Sequence, residues 1–160
     1  MSKTLPQEYK IVSGTTAVTT NGGVDADWIS LKNAISVTII AKLTQAVGHA
    51  TVLAVNQATV VAGSDTKVLA KVVPIWSNAD TSTTDTNSLQ TRAVNFTVAA
   101  DALNKVVMFK VLPADLDVTN SFDCISLGVS NSSQATNLVD ITYVIETNYP
   151  QDGPPTAITD

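Results

Sequence analysis

The chain has little of what catalysis and metal binding require. Its 160 residues include one cysteine, Cys124, and one histidine, His49. One cysteine cannot form an internal disulfide, and one residue of each kind is too few for a zinc site. No serine, aspartate or cysteine lies near His49 at the spacing of a hydrolase motif, so a nucleophile would lack its base. We therefore expect a protein that is not an enzyme, with no catalytic residue, no cofactor and no metal.

Both residues have simpler interpretations. Cys124 stands in an apolar run with Phe122, Ile125 and Leu127, which predicts a buried, small apolar side chain. His49 stands just before an apolar, strand-like stretch. This position predicts a polar residue at a strand end or at an interface.

Charge is also scarce, since charged residues make up 14% of the chain against about 25% in average soluble domains. The net charge is −5 and the nine basic residues are scattered, which argues against a nucleic-acid partner. A weakly charged surface gives little protection against association, so we expect the domain to be part of an assembly. No stretch has the pattern of a signal peptide or a membrane span. We expect a soluble protein, made in a cytoplasm, with no membrane partner.

The acidic residues raise two alternatives, a glycoside hydrolase and a calcium site. Glu8 and Glu146 are the only glutamates, but a β-sandwich can bring distant carboxylates together, so a glycoside hydrolase stays open. Calcium accepts aspartate oxygens, yet no close aspartate pair has the spacing of a calcium loop. Side chains that cap their own loops explain these pairs. The pairs are Asp25/Asp27, Asp80/Asp85 and Asp115/Asp117.

What the chain does have is the pattern of β-strands. Hydrophobic residues make up 44% and aromatic residues 5%, so the core must be mainly Val, Ile, Leu and Ala. Apolar and polar residues alternate from Ala34 to Leu43, and Lys105 to Leu112 is a dense apolar run. The pattern predicts an all-β, single-domain β-sandwich or jelly roll of roughly eight to ten antiparallel strands with extended termini. Residues 1–9 are expected to form an N-terminal arm, 10–147 the β domain and 148–160 a Pro-rich acidic tail.

Several segments carry more specific expectations. Lys10–Ser13 and Ala17–Thr20 predict two successive strands. Lys67–Ile75 predicts one strand, with Pro74 at an edge or bulge because proline cannot donate to a β-ladder. Ser77–Thr91 contains almost nothing apolar and predicts a long exposed loop, which is either a contact surface or a solvated connection.

Three stretches resemble a known family. The sequences GHATVLAVNQATVVAGSDTKVLAKVVPIWSN, DALNKVVMFKVLPADLD and FDCISLGVSNSS are similar to capsid decoration (cement) proteins and other head-associated structural proteins of tailed bacteriophages. The resemblance covers about residues 28–147. Its most specific pieces are Gly48-His49-Ala50, Pro74-Ile75-Trp76, and Leu112-Pro113-x-x-Leu116-Asp117 ahead of Phe122-Asp123.

The resemblance implies a virion protein on the outer capsid surface that binds the major capsid protein, stabilises the shell, and forms a homo-oligomer, a trimer being favoured. Four residues are expected to make contacts with the capsid or within the oligomer. They are Leu5, Pro6 and Tyr9 of the N-terminal arm, and Trp76. The alternative function is a host-surface or glycan-binding β-sandwich of a phage tail or fibre, with Ser77–Thr91 as its contact surface. The sequence leaves open which face or terminus meets the shell.

Overall fold

A computed structural model describes residues 4–148, and these residues form two antiparallel β-sheets around one hydrophobic core. The prediction of an all-β sandwich is confirmed. Eight of the twelve strands in this part of the chain have four or more residues. The strands are β1 (Tyr9–Thr19), β2 (Val24–Asp25), β3 (Ile29–Ser30), β4 (Ala34–Thr44), β5 (Thr51–Ala58), β6 (Lys67–Val68), β7 (Ile75–Asn78), β8 (Ser88–Leu89), β9 (Asn95–Val98), β10 (Asn104–Val111), β11 (Cys124–Val129) and β12 (Leu138–Thr147).

In the described part of the chain, helical structure is confined to single turns. A four-residue helix, α1 (Leu5–Glu8), precedes β1, and two 3-10 turns, Pro113–Asp115 and Val118–Asn120, follow β10. Thr4 caps α1, and its backbone N–H donates to Gln7 Oε1 at 2.9 Å. Within residues 4–148, no helix has the length and apolar character that crossing a bilayer requires.

The strands divide between sheet A and sheet B. Sheet A has the order β1-β12-β4-β10-β7-β8, and sheet B has the order β2-β11-β5-β6. In sheet B, β3 also pairs with β11 and β9 also pairs with β5. Strands β2 and β3 therefore lie end to end along one edge of β11, with residues 26–28 in the gap between them.

The core lies between the two sheets and is mainly aliphatic, as the composition predicts. In β4, every second residue from Val37 to Leu43 faces inward and is buried. Ile125 and Leu127 of β11 face them from sheet B. This burial explains the period of two in both strands, because one face of each sheet is covered by the other.

Tyr143 of β12 ties the two sheets together. Its side chain is fully buried, and its hydroxyl accepts a hydrogen bond from Leu127 N at 3.2 Å and donates one to the Asp27 carbonyl at 3.0 Å. The hydroxyl thus fills the gap between β2 and β3, where the ladder of β11 has no strand partner. Burial raises the pKa of Tyr143 to about 12.

Two predicted strands are one strand in the structure. β1 runs without a break from Tyr9 to Thr19, and its pairing with β12 shifts register after Ser13. A Cβ at Gly14 would lie 2.7 Å from Tyr143 Cε2, so only glycine lets the backbone pass over the ring. Tyr9, which the sequence placed in the arm, is the first residue of β1 and pairs with Glu146.

The prediction of a single strand over Lys67–Ile75 is wrong. Its first two residues form β6 of sheet B, whereas Ile75 begins β7 of sheet A. The chain crosses between the sheets in this segment, and Leu69 and Val73 are buried on the way. Pro74 ends the crossing just before β7, and its carbonyl accepts a hydrogen bond from Lys110 N at 3.2 Å.

The two ends of the described chain lie side by side. Tyr9 is paired with Glu146, and Asn148 N donates to the Asn33 carbonyl at 3.0 Å. Residues 1–3 of the predicted arm and residues 149–160 of the predicted tail lie outside the described residues.

Candidate functional site

The outer face of sheet A carries a row of apolar side chains. Side chains alternate along a strand, so every second residue of each strand points away from the core. The pairing register aligns six outward residues in one line across the sheet: Ser13, Thr142, Ile40, Met108, Trp76 and Leu89. The last four are consecutive and large, and we call them the apolar row.

The neighbouring lines of the same face add apolar groups and few charges. Ile11 and Val144 pair on one side of the apolar row, and Val106 lies on the other. Leu89 is 66% exposed and Ile11 is 54% exposed. The outer face of a half-buried antiparallel sheet is usually polar, so this face is unusual.

The charges on this face balance each other. Asp140 lies directly opposite Lys42, and Lys110 and Glu146 lie in the lines beyond the apolar row. The Ser36 hydroxyl donates to Glu146 Oε2 at 2.9 Å. Two positive and two negative side chains leave the face without a net charge, so contact with another protein there would depend mainly on apolar burial.

A cleft lies on the opposite side of the sandwich, over the outer face of sheet B. Its volume is about 420 Å³, within the range of roughly 300–1,000 Å³ for small-molecule sites. We call it the Trp28 cleft. Its lining residues are Asp25, Trp28, Asn56, Ala62, Gly63, Thr66, Lys67 and Val68.

Buried hydrogen bonds fix the backbone that carries Trp28. Ala26 N donates to the Leu127 carbonyl at 3.1 Å, and the buried Ser126 hydroxyl donates to the Ala26 carbonyl at 2.6 Å. The half-buried indole lies against Gly63, where an added Cβ would sit 2.6 Å from Trp28 Nε1. Gly63 also has a φ of +74°, so both the space and the backbone favour glycine there.

Comparisons with known proteins give one structural likeness to report. No protein-family model and no curated protein sequence matches the chain. The crystal structure of the SPBc2 prophage-derived protein YomS is similar, with a TM-score of 0.50 and 8% sequence identity. The two chains share a fold. The likeness covers 86% of this chain and 92% of YomS, so it extends over both sheets of the sandwich.

The residues predicted to make contacts lie at two places. Trp76 belongs to the apolar row, and Tyr9 lies on the same outer face, at its other end. Four strand spacings separate the two strands, which is about 19 Å. Leu5, which is 55% exposed, and the exposed Pro6 lie in α1, ahead of β1. That these four residues touch a capsid or another copy stays a prediction.

The other three residues of the apolar row were not predicted from the sequence. In the Ala34–Leu43 alternation, Ile40 stands on the polar face, and Met108 does the same in β10. A large apolar residue at a polar position of an alternating strand was the available signal. No such signal marks Leu89, because it stands in a polar segment and in a strand of only two residues.

The predicted long exposed loop over Ser77–Thr91 is correct in part: residues 81–89 are exposed, but residues near both ends of the segment belong to strands. β7 and β8 pair as a hairpin, with Trp76 opposite Leu89. The connection is held by its own side chains: Asn78 Nδ2 donates to the Thr84 carbonyl at 2.6 Å. The Asp80 carboxylate accepts hydrogen bonds from the Ser82 hydroxyl and backbone N–H, which hold the pKa of Asp80 below its usual value.

Other aspartates behave in part as predicted. Asp115 accepts a hydrogen bond from Leu112 N at 2.8 Å, so it caps its own loop as Asp80 does. Asp117 pairs instead with Lys67, whose hydrogen bond lowers the pKa of the Asp117 carboxyl. Among residues 4–148, no group of three or more His, Cys, Asp or Glu side chains is placed to hold a metal ion.

The single cysteine is buried and the single histidine is exposed. Cys124 is 2% exposed, which confirms it as a buried small side chain, and burial raises the pKa of its thiol to about 12. The Cys124 thiol donates to Asp123 Oδ1 at 3.0 Å. His49 is exposed in the connection before β5, with Nδ1 3.3 Å from the Ala50 carbonyl oxygen.

Proposed function

We propose that this chain is a non-enzymatic structural protein of a bacteriophage virion that binds the outer surface of the capsid and stabilises it. Its partner is the major capsid protein, and its copies associate with each other, as a trimer. Nucleic acid, membrane and cofactors have no part in this role. The protein is made in the host cytoplasm and ends on the outer capsid surface.

The observation that carries this proposal is the apolar row on the outer face of sheet A. The row places the half-buried Ile40, Met108 and Trp76 and the exposed Leu89 in one line. Contact of this apolar surface with water is unfavourable unless another surface covers it. Trp and Met are enriched at protein interfaces relative to the remaining surface. The capsid surface is the partner that the resemblance to head-associated phage proteins supplies.

The structural neighbour supports the same origin. YomS is a prophage-derived protein and shares the fold over most of both chains. A phage origin for this chain is therefore consistent with the likeness, while the role on the capsid rests on the residues of the face and on the sequence resemblance.

The size of the face favours binding through many copies. Six strands spaced about 4.8 Å apart and four lines of outward residues give a footprint of roughly 24 Å by 20 Å. The area of this footprint is smaller than the roughly 800 Å² that each partner buries in a standard interface. One copy alone would bind weakly, whereas an oligomer that engages neighbouring capsid subunits gains strength through effective concentration.

The balanced charges of the face define how binding responds to salt. Attachment that depends on apolar burial should persist at about 0.5 M NaCl, where the Debye length falls to roughly 4 Å. Attachment steered by charge would weaken at that salt concentration.

The test is co-sedimentation of the purified protein with capsid shells of the same phage that lack it, together with its mass by light scattering. We expect saturable binding by an oligomer, and decorated shells that withstand a higher temperature. A monomer that ignores shells would contradict the proposal and favour the host-surface or glycan-binding alternative.

Two matched substitutions test the face itself. Leu89→Lys places a charge in the apolar row, whereas Val118→Lys places one at a 3-10 turn, and the two side chains are 66% and 62% exposed. We expect Leu89→Lys to weaken shell binding at least tenfold, about 1.4 kcal/mol, and Val118→Lys to leave it unchanged. Equal effects of the two variants would refute the assignment of this face.

The arm is tested separately, by deleting residues 1–8 and keeping Tyr9 as the start of β1. If Leu5 and Pro6 anchor the protein, the deletion weakens attachment while the thermal stability of the free domain stays the same. Unchanged attachment would rule out the arm as an anchor and leave the outer face of sheet A as the contact.

A further inference from the structure

We propose that the Trp28 cleft binds a neutral saccharide. The cleft combines an aromatic ring, from Trp28, with a carboxylate and an amide, from Asp25 and Asn56. It lies on the outer face of sheet B, whereas the proposed shell contact lies on the outer face of sheet A. A copy attached through sheet A would therefore present the cleft away from the shell.

The indole of Trp28 supplies the apolar wall. A half-buried tryptophan offers a rigid flat surface together with one polar edge. Gly63 and the hydrogen-bonded Ala26 backbone fix the ring in place. The wall is thus formed before a ligand arrives, which lowers the entropic cost of binding.

The polar groups converge over Gly128. A Cβ built at Gly128 would lie 2.9 Å from Asn56 Nδ2 and 3.4 Å from Asp25 Oδ1, so glycine at this position lets both polar side chains of the cleft lining lie over the backbone close to each other. Within residues 4–148, neither side chain is hydrogen-bonded to another protein group. A carboxylate accepts hydrogen bonds, and an amide both donates and accepts. Adjacent hydroxyl groups of a sugar ring, each a donor and an acceptor, can satisfy both.

The charges in the cleft disfavour an anionic ligand. Lys67 is the cation of the lining, and its ammonium group is already paired with Asp117 and lies 4.1 Å from the centre of the Phe122 ring. Asp25 adds a negative charge at the cleft. A phosphate or sulfate group would meet this carboxylate without a free cation, whereas a neutral polyol would not be repelled.

The test measures binding in solution, without shells, by tryptophan fluorescence and calorimetry. Trp76→Phe leaves Trp28 as the sole tryptophan, so a fluorescence change reports on the cleft. The probes are glucose, galactose, mannose and N-acetylglucosamine with their β-linked disaccharides, each titrated to 50 mM. We expect at least one probe to saturate with a dissociation constant of about 1 mM, as a dozen heavy atoms of ordinary ligand efficiency would give. Glucose 6-phosphate should bind at least tenfold more weakly than glucose.

Variants locate the site. Asp25→Ala changes an exposed side chain, so it should keep the fold, and it should weaken binding at least tenfold. Asp85→Ala, at an exposed aspartate in the connection between β7 and β8, should leave binding unchanged. The proposal is overturned if no probe saturates by 50 mM, if binding survives Asp25→Ala, or if the phosphorylated sugar binds best.

These outcomes do not depend on the shell-binding role. A protein that binds shells but no saccharide loses only this inference. A protein that binds saccharide and ignores shells keeps this inference and loses the proposed function.

Discussion

Replacing Tyr143 with phenylalanine removes one oxygen atom and two hydrogen bonds from the centre of the sandwich. The hydroxyl accepts from Leu127 N and donates to the Asp27 carbonyl. The ring stays, so its contact with Gly14 and its apolar packing are unchanged. The variant therefore isolates the bond between the two sheets from the packing of the core.

The expected cost follows from which groups lose their partner. Leu127 is fully buried, and its N–H faces the gap between β2 and β3, so it loses its partner at a cost of about 1–3 kcal/mol. The Asp27 residue is exposed, and its carbonyl can bind water, so it adds about 1 kcal/mol or less. We expect Tyr143→Phe to lower the free energy of unfolding by about 2–3 kcal/mol, and Tm by about 4–12 °C.

Urea unfolding monitored by circular dichroism, together with calorimetry, measures both quantities. The matched control is Tyr9→Phe, which removes a hydroxyl from a half-buried tyrosine in the same sheet and should change stability by less than about 0.5 kcal/mol. If Tyr143→Phe costs no more than Tyr9→Phe, the hydroxyl does not hold the sheets together and the reasoning fails.

Three further predictions concern titration, reactivity and glycine. The raised pKa of Tyr143, about 12 against about 10 when unfolded, gives stability that is present in full below pH 10 and lost as pH rises through 12. Wild type should lose about 2 kcal/mol more than Tyr143→Phe between pH 9 and 12; parallel urea-unfolding profiles would contradict this. Cys124 should react with a thiol reagent at pH 8 at least about tenfold more slowly in the folded protein than in urea; equal rates would refute its burial. Gly63→Ala should destabilise by more than Gly22→Ala in urea unfolding, because both have positive φ but a Cβ meets the Trp28 ring only at Gly63; equal losses, about 1 kcal/mol each, would leave backbone strain as the whole cause.

Local patterns were sufficient to predict most strands but not their sheet partners. The alternation in Ala34–Leu43 reports burial on one face, which any strand in a sandwich has. In Lys67–Ile75 the same kind of pattern continues while the chain crosses from sheet B to sheet A. The change of sheet depends on contacts far along the chain, so a local period cannot reveal it. The need for glycine at position 14 is equally hidden from a local pattern, because it arises from contact with Tyr143, far along the chain.

The candidate surfaces were less predictable than the strands. Tyr9 and Trp76 were named as large apolar groups, but only the strand order of sheet A places them on one face. The apolar row needs the register of four strands at once, which a single sequence does not encode locally. The Trp28 cleft depends on Gly63, because any side chain at that position would collide with the indole of Trp28.

The adjacent ends of the described chain allow the order of the strands along the chain to be changed without changing the sandwich. Because β1 begins beside the end of β12, a short linker could join them across about 5 Å, the spacing of neighbouring strands. A circularly permuted chain opened at the Gly22–Gly23 turn would then retain every strand pair of both sheets, since chain ends at an exposed turn are tolerated. A peptide joined directly to either end of β1–β12, at Tyr9 or after Thr147, would also leave the same corner of sheet A, away from Trp76.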